Sequence, residues 1–227
     1  MREIVLDTET TGLDPDSGDR IVEIACIEMM HRIPTGRVWH HYINPERDMP
    51  AGAFAVHGLS SEFLADKPKF AELADDFVRF IDGAQLVIHN AAFDVKFLNA
   101  ELARVNAAII DAGRVVDTLA LARRKHAGAQ NNLDALCRRY GVDNTRRTKH
   151  GALLDTELLA EVYLNLIGAH QPGLDLGRAA AAAGSAQIVA AAPRPGRLPQ
   201  RVTEDEIAAH QAFLATLKAE PIWRVFA

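Results

Sequence analysis

The sequence predicts a layered α/β fold, and three observations carry that expectation. Apolar runs of strand length open the chain and are joined by short turn-rich segments. Further along, strand-length runs alternate with stretches of helical periodicity. The 227 residues, 48% of them hydrophobic, can bury one substantial core and leave material for a tail. Strands are expected at residues 3–7, 21–30, 38–43, 86–89 and 115–117. The first three, separated by segments such as Asp14-Pro15-Asp16-Ser17-Gly18, suit an antiparallel meander. Phe70, Leu73, Ala74, Phe77 and Ile81 mark one helix, and Phe97, Leu98 and Leu102 a second. Further helices are expected after Thr118, after Asn132, and from Ala152 to about Gly168.

Composition narrows the function classes. Cys26 and Cys137 stand alone in apolar surroundings, the pattern of reduced core thiols in a cytosolic protein. The N-terminus reaches Asp7 too soon for a signal peptide, and no apolar run is long enough to span a bilayer, so a soluble cytoplasmic protein with no membrane partner is expected. A net charge of −5 argues against unaided capture of a polyanion and implies delivery to it by a partner. Basic residues cluster at Arg123-Arg124-Lys125, Arg138-Arg139 and Arg146-Arg147-Lys149, as solvated surface or, for the last, as phosphate contacts. His40-His41 has no second ligand pair at zinc spacing and is expected along a strand. Asp117 closes the run Val115-Val116 and is expected as an N-cap or turn acid.

The chemistry concentrates in three places. Ile4-Val5-Leu6-Asp7-Thr8-Glu9 delivers Asp7 and Glu9 at a strand end, and residues two apart on a strand share a face. Like charges held that close call for a bound cation or a shared proton, unless Asp7 and Thr8 simply cap a solvated turn. His89-Asn90-Ala91-Ala92-Phe93-Asp94 follows the run Leu86-Val87-Ile88, and His150-Gly151-Ala152-Leu153-Leu154-Asp155 precedes a helical stretch. His150 and Asp155 share a helical face only if His150 sits in the loop before the helix, which makes it a mobile, near-solvent proton acceptor.

These motifs, Asp-x-Glu-Thr-Thr-Gly, His-Asn-Ala-x-Phe-Asp and His-x-Ala-x-x-Asp, resemble those of the DEDDh 3′ to 5′ exonucleases, and most closely those that proofread for bacterial replicative DNA polymerases. The likeness covers roughly the first three quarters of the chain and returns at its C-terminus. It implies a ribonuclease H-like fold with a mixed five-stranded sheet and Asp7 and Glu9 on the central strand. It also implies a proofreading enzyme that hydrolyses phosphodiesters at a DNA 3′ end with two divalent ions, Mg²⁺ or Mn²⁺. Asp7 would bridge both ions, Glu9 and Asp155 complete the nucleophile-side metal, Asp94 hold the second, and His150 act as general base. An imidazole titrating near pH ~6.5 suits that role. Thr10, His57, His89 and Phe93 would join Asp7, Glu9 and Asp155 against the nucleotide, with core packing the competing reading of Phe93 and His89. Family members carry an acid five positions before the histidine at 57, where this chain has Gly52.

Beyond Gly168 the composition changes. Residues 169–202 read as a flexible linker, rich in Ala, Gly, Pro and Arg, after an exonuclease domain at 1–168. Gln171, Leu174 and Leu176 resemble the short peptide that binds the bacterial sliding clamp, with a helix-exit loop as the alternative. Residues 203–227 begin with a capping box, Thr203 to Glu206, followed by Ile207, Phe213, Leu214 and Leu217 on an apolar side and then Trp223 and Phe226. A short helix with large aromatics and no core of its own suits a partner's groove, and the resemblance implies that this partner is the replicative polymerase catalytic subunit. Two other readings stay open: a DEDDh enzyme trimming RNA 3′ ends, and a non-catalytic polymerase adaptor.

Overall fold

Strand β1 (Arg2–Thr10) lies at the centre of a five-stranded sheet of order β3-β2-β1-β4-β5. The computed structural model describes residues 1–147, 149–169 and 202–216. Strands β2 (Ile21–Met30) and β3 (Ile33–Tyr42) complete the antiparallel meander, whereas β4 (Gln85–Ile88) and β5 (Val115–Asp117) run parallel to β1. The helices are α1 (Ala51–His57), α2 (Ser61–Leu64), α3 (Phe70–Ile81), α4 (Ala91–Arg104), α5 (Thr118–Lys125), α6 (Leu133–Tyr140) and α7 (Ala152–Leu166). The chain divides into two units, Met1–Gly173 and Leu174–Ala227. In the second, α8 (Glu204–Ala215) carries the expected capping box, with Thr203 Oγ1 accepting from Glu206 N and Glu206 reaching back to Thr203 N.

Side-chain alternation along β1 assigns each face its helices. Ile4 and Leu6 pack with Phe70, Phe77, Phe97 and Leu98 from α3 and α4, and Val5 packs on the other face with Leu136, Leu158, Leu159 and Val162 from α6 and α7. Each such side chain, fully buried, stabilises the fold by roughly 1.5–3 kcal/mol, so a one-residue slip of β1 would exchange two sets of contacts at once. Cys26 and Cys137 are both free and buried, and burial pushes both thiols up, Cys137 to about 11.

The structure corrects several expected boundaries. β3 starts at Ile33 rather than at 38: all six residues from Ile33 to Val38 are exposed on an edge strand, so no apolar alternation announced them. Pro34 is tolerated there because an edge strand has hydrogen-bonding groups that face no partner strand. β1 extends to Thr10 because Asp7, Thr8 and Glu9 continue to pair with Ala25, Ile24 and Glu23. α1 and α2 were not expected, and His57 is the buried last residue of α1. Along α8, Ile207 and Leu214 share a face while Phe213, exposed, projects from another, so its apolar residues are spread more widely than one side. Among the described residues no helix is long and apolar enough to cross a membrane. Gln171, Leu174, Leu176, Leu217, Trp223 and Phe226 lie outside the described residues, as does most of the expected linker.

Candidate active site

The acids meet at the carboxyl ends of the three parallel strands, the edge at which open α/β sheets place their ligands. Glu3, Val5, Asp7 and Glu9 alternate onto the α7 face of β1, where Tyr163 donates to Glu3 Oε1 at 2.7 Å. Asp155, in the first turn of α7, lies on that face and is 4% exposed. Thr8 faces the other way, and its N–H and hydroxyl both donate to Asp94 Oδ1, at 3.1 and 2.7 Å. Asp94 sits in the first turn of α4, where the helix dipole favours an anion. The turn into α4 puts Asn90 at φ 64°, a left-handed conformation that asparagine adopts more readily than most residues. Asp117 caps α5 as expected and also accepts from Asn90 N at 3.2 Å.

Glu23, opposite Glu9 in the sheet, holds the start of α7. One oxygen accepts from Ala152 N at 3.2 Å and the other bonds His40 Nε2 at 2.7 Å. This gives His40, on β3 as expected, a part in fixing the helix that carries Asp155. His150 lies in the loop before α7, as the spacing required, with its side chain 51% exposed and its backbone N–H donating to Val56 O at 3.2 Å.

Crowding sets the electrostatics. Burial first, then Asp94, Glu9 and Asp155, hold the Asp7 carboxyl well above the usual range. Burial, Asp155 and Glu23 push Glu9 from its ordinary 4.5 to about 8, against a smaller opposing pull from Arg147. Burial raises Asp94 as well, opposed by its hydrogen bonds to Thr8. The donor atoms of Glu9, His150 and Asp155 lie within 4.8 Å of one another, which groups His150 rather than Asp7 most tightly with the other two. Carboxylate oxygens gathered in this number fit hard divalent cations.

A pH dependence of stability follows. With Glu9 at about 8 folded and 4.5 unfolded, the folded state retains a proton that the unfolded state has released. Stability in the presence of a chelator should therefore fall as pH rises through that interval, by on the order of a few kcal/mol. Asp7 and Asp94, also raised, act in the same direction. A divalent cation that replaces the protons should restore the melting temperature at the upper end. Calorimetric melts at several pH values, with chelator and with Mg²⁺, measure this; a melting temperature independent of pH in chelator would refute the raised titrations.

Two adjoining clefts hold every nuclease-domain site residue named from the sequence. One, of about 550 Å³, is lined by Asp7, Asp94, His150, Asp155, His89 and Phe93; the other, of about 480 Å³, by Glu9, Thr10, His57, Phe93 and Gly52. Phe93 serves both clefts while its ring packs on Phe97 with centroids 5.0 Å apart, so the core and site readings both hold. His89 Nδ1 bonds Thr118 Oγ1 at 2.9 Å, and burial lowers its pKa. His57 Nδ1 accepts from Leu59 N at 3.0 Å, whereas its buried Nε2 has no hydrogen-bond partner among the described residues. A Cβ at Gly52 would meet nothing within 4 Å, so the place of the family's acid is open space.

Sequence reading missed four contributors. Thr8 and Glu23 position Asp94 and α7, and only strand alternation and pairing hinted at them. Arg147 stands in the basic run read as solvated surface or phosphate contacts, and neither reading sets it against the acids. It bonds Asp155 through two nitrogens and also Asp134, which drew no attention at all.

The sheet, its helices and this acid edge define the class of ribonuclease H-like exonucleases, and residues 4–163 match the RNase T-type family model described as Exonuclease. The DNA polymerase III subunit epsilon of Rickettsia felis is 56% identical over 75% of this chain and 76% of its own length. That of Escherichia coli K12 is 44% identical over 98% of this chain and 97% of its own. Among solved structures, exonuclease X in complex with 5′ overhanging duplex DNA superposes with a TM-score of 0.57 at 25% identity, over 74% of this chain and 92% of its own. The nuclease domain of 3′hExo, a DEDDh family member bound to rAMP, superposes with a TM-score of 0.64 at 15% identity over the same shares, a likeness of fold. The chain belongs to the exonuclease family and, within it, to the DNA polymerase III epsilon subunits.

Proposed function

We propose that this chain is the proofreading 3′ to 5′ exonuclease subunit of a bacterial replicative DNA polymerase and removes mispaired 3′-terminal nucleotides. The observation that carries this reading is the convergence of Asp7, Glu9, Asp94, Asp155 and His150 on adjoining clefts at one sheet edge. The four carboxylates would hold two divalent ions, Mg²⁺ or Mn²⁺, which supply charge to screen the phosphodiester and stabilise the leaving 3′ oxygen. His150, half in solvent, takes the proton of the attacking water. Thr10, His57, His89 and Phe93 seat the terminal nucleotide, and the unpartnered Nε2 of His57 supplies a donor for it.

Residues 1–168 form the catalytic domain in this reading, 169–202 a linker whose Gln171, Leu174 and Leu176 engage a sliding clamp, and 203–227 the tether to the polymerase catalytic subunit. Similarity to the Escherichia coli epsilon subunit along 98% of the chain supports the polymerase partner and a cytoplasmic setting. The deciding experiment offers 3′-mismatched primer-template DNA and matched RNA to the purified protein with Mg²⁺. Faster release of deoxynucleotide from the mismatched end is expected. Preferred trimming of RNA would favour the exoribonuclease reading, and no turnover on either would favour the adaptor.

A further inference from the structure

Arg147 occupies an unusual place for a cation in a nuclease cleft. Its side chain is only 7% exposed and all three guanidinium nitrogens are engaged. Nε donates to Asp155 Oδ1 at 2.5 Å and Nη2 to Asp155 Oδ2 at 2.6 Å, a bidentate pair that takes both oxygens of that carboxylate. Nη1 donates to Asp134 Oδ1 at 2.8 Å, and Nη2 also reaches His150 Nδ1 at 2.6 Å.

The last contact constrains the histidine. A guanidinium has no lone pair to offer, so the hydrogen bond requires Nδ1 to be the acceptor. A neutral imidazole then carries its proton on Nε2, which leaves no nitrogen able to take a proton from water. The same guanidinium places a positive charge where Asp155 would face a cation, and two cations on one carboxylate repel. Asp134 lines the same cleft but is 43% exposed and is not among the acids that raise Asp7 or Glu9, so it can keep hold of Nη1 while the other two nitrogens leave.

We propose that Arg147 is a latch, an internal cation that competes with a divalent ion for Asp155 and masks His150 until it is displaced. Arg147 is thus a positioning residue that couples cation binding to the availability of the base. The inference rests on the proposed roles of Asp155 as a cation ligand and His150 as the base. It differs from a purely structural role in sign: an arginine that merely orients Asp155 would strengthen cation binding, whereas a competitor weakens it.

Mn²⁺ titration calorimetry on the full chain at fixed pH distinguishes them. Arg147→Gln should bind Mn²⁺ about tenfold more tightly than wild type, the scale of one lost charge-assisted hydrogen bond. Arg147→Lys, which keeps the charge without the fork, should fall between. Weaker or unchanged binding in Arg147→Gln overturns the latch. Asp155→Asn serves as the control: unaltered Mn²⁺ binding there would remove Asp155 from the cation site and the latch with it, whereas lost binding with no gain in Arg147→Gln would refute the latch alone. A measurement on the unaltered protein stands beside these in case the variants unfold. The Nε–H proton resonance of Arg147, shifted by its bond to Asp155, should move toward that of a solvent-exposed arginine on saturation with Mg²⁺. A resonance unmoved at saturation overturns the proposal.

Discussion

Asp7→Asn is expected to lower the turnover rate by at least ~10³-fold, because transition-state stabilisation by a bound cation is worth several kcal/mol and each ~1.4 kcal/mol is a factor of ten. The same variant should melt at a higher temperature than wild type in chelator. Asp7 is raised by burial and by four neighbouring acids, so replacing it with a neutral isostere removes a repulsion that the fold otherwise bears. Asp155→Asn should also lose turnover, yet its stability should move the other way. Asp155 is bound at both oxygens by Arg147, and its loss leaves a nearly buried guanidinium with a weakened partner. Single-turnover release of nucleotide and calorimetry in chelator read the two effects separately. Near-normal turnover in Asp7→Asn would refute its assignment as a cation ligand.

Deleting the residues after Leu198 should abolish co-purification with the polymerase catalytic subunit and leave exonuclease activity on free single strands intact. The five catalytic positions all lie within Met1–Gly173, which accounts for the second half of that expectation. For the first half, α8 has twelve residues, and an isolated helix of that length is marginal in water even with a complete capping box. Phe213 is 59% exposed on it. Trp223→Ala alone should weaken the association by about 2 kcal/mol, the usual scale for truncating an aromatic anchor. Undiminished affinity in the deletion variant would move the polymerase contact onto the nuclease domain.

How much was legible in the sequence depended on whether a signal was local. Asp7 and Glu9 share a face because alternation has period two, and the pairing of β1 confirms it residue by residue. His150 had to precede its helix for reasons of spacing, and it does. The helix α1 was invisible: it is seven residues long, contains Gly52, and is preceded by Pro50 with no side-chain cap, so neither period nor punctuation marked it. Gly58, left-handed at φ 77°, ends α1 immediately after His57. Arg147 was illegible for a different reason. Its two carboxylate partners lie eight and thirteen residues away, separations that correspond to no helical or strand neighbour, so only the folded loop reveals them.

The order in which the chain is made adds a consequence. Asp7 and Glu9 are made well before His150 and Asp155, and the α7 face of β1 lacks the cover of Leu158, Leu159 and Val162 until α7 follows. A nascent chain that stops short of α7 thus holds Asp7 and Glu9 on a strand without its α7 cover and lacks Asp155. The complete acid set therefore exists only once α7 has been made.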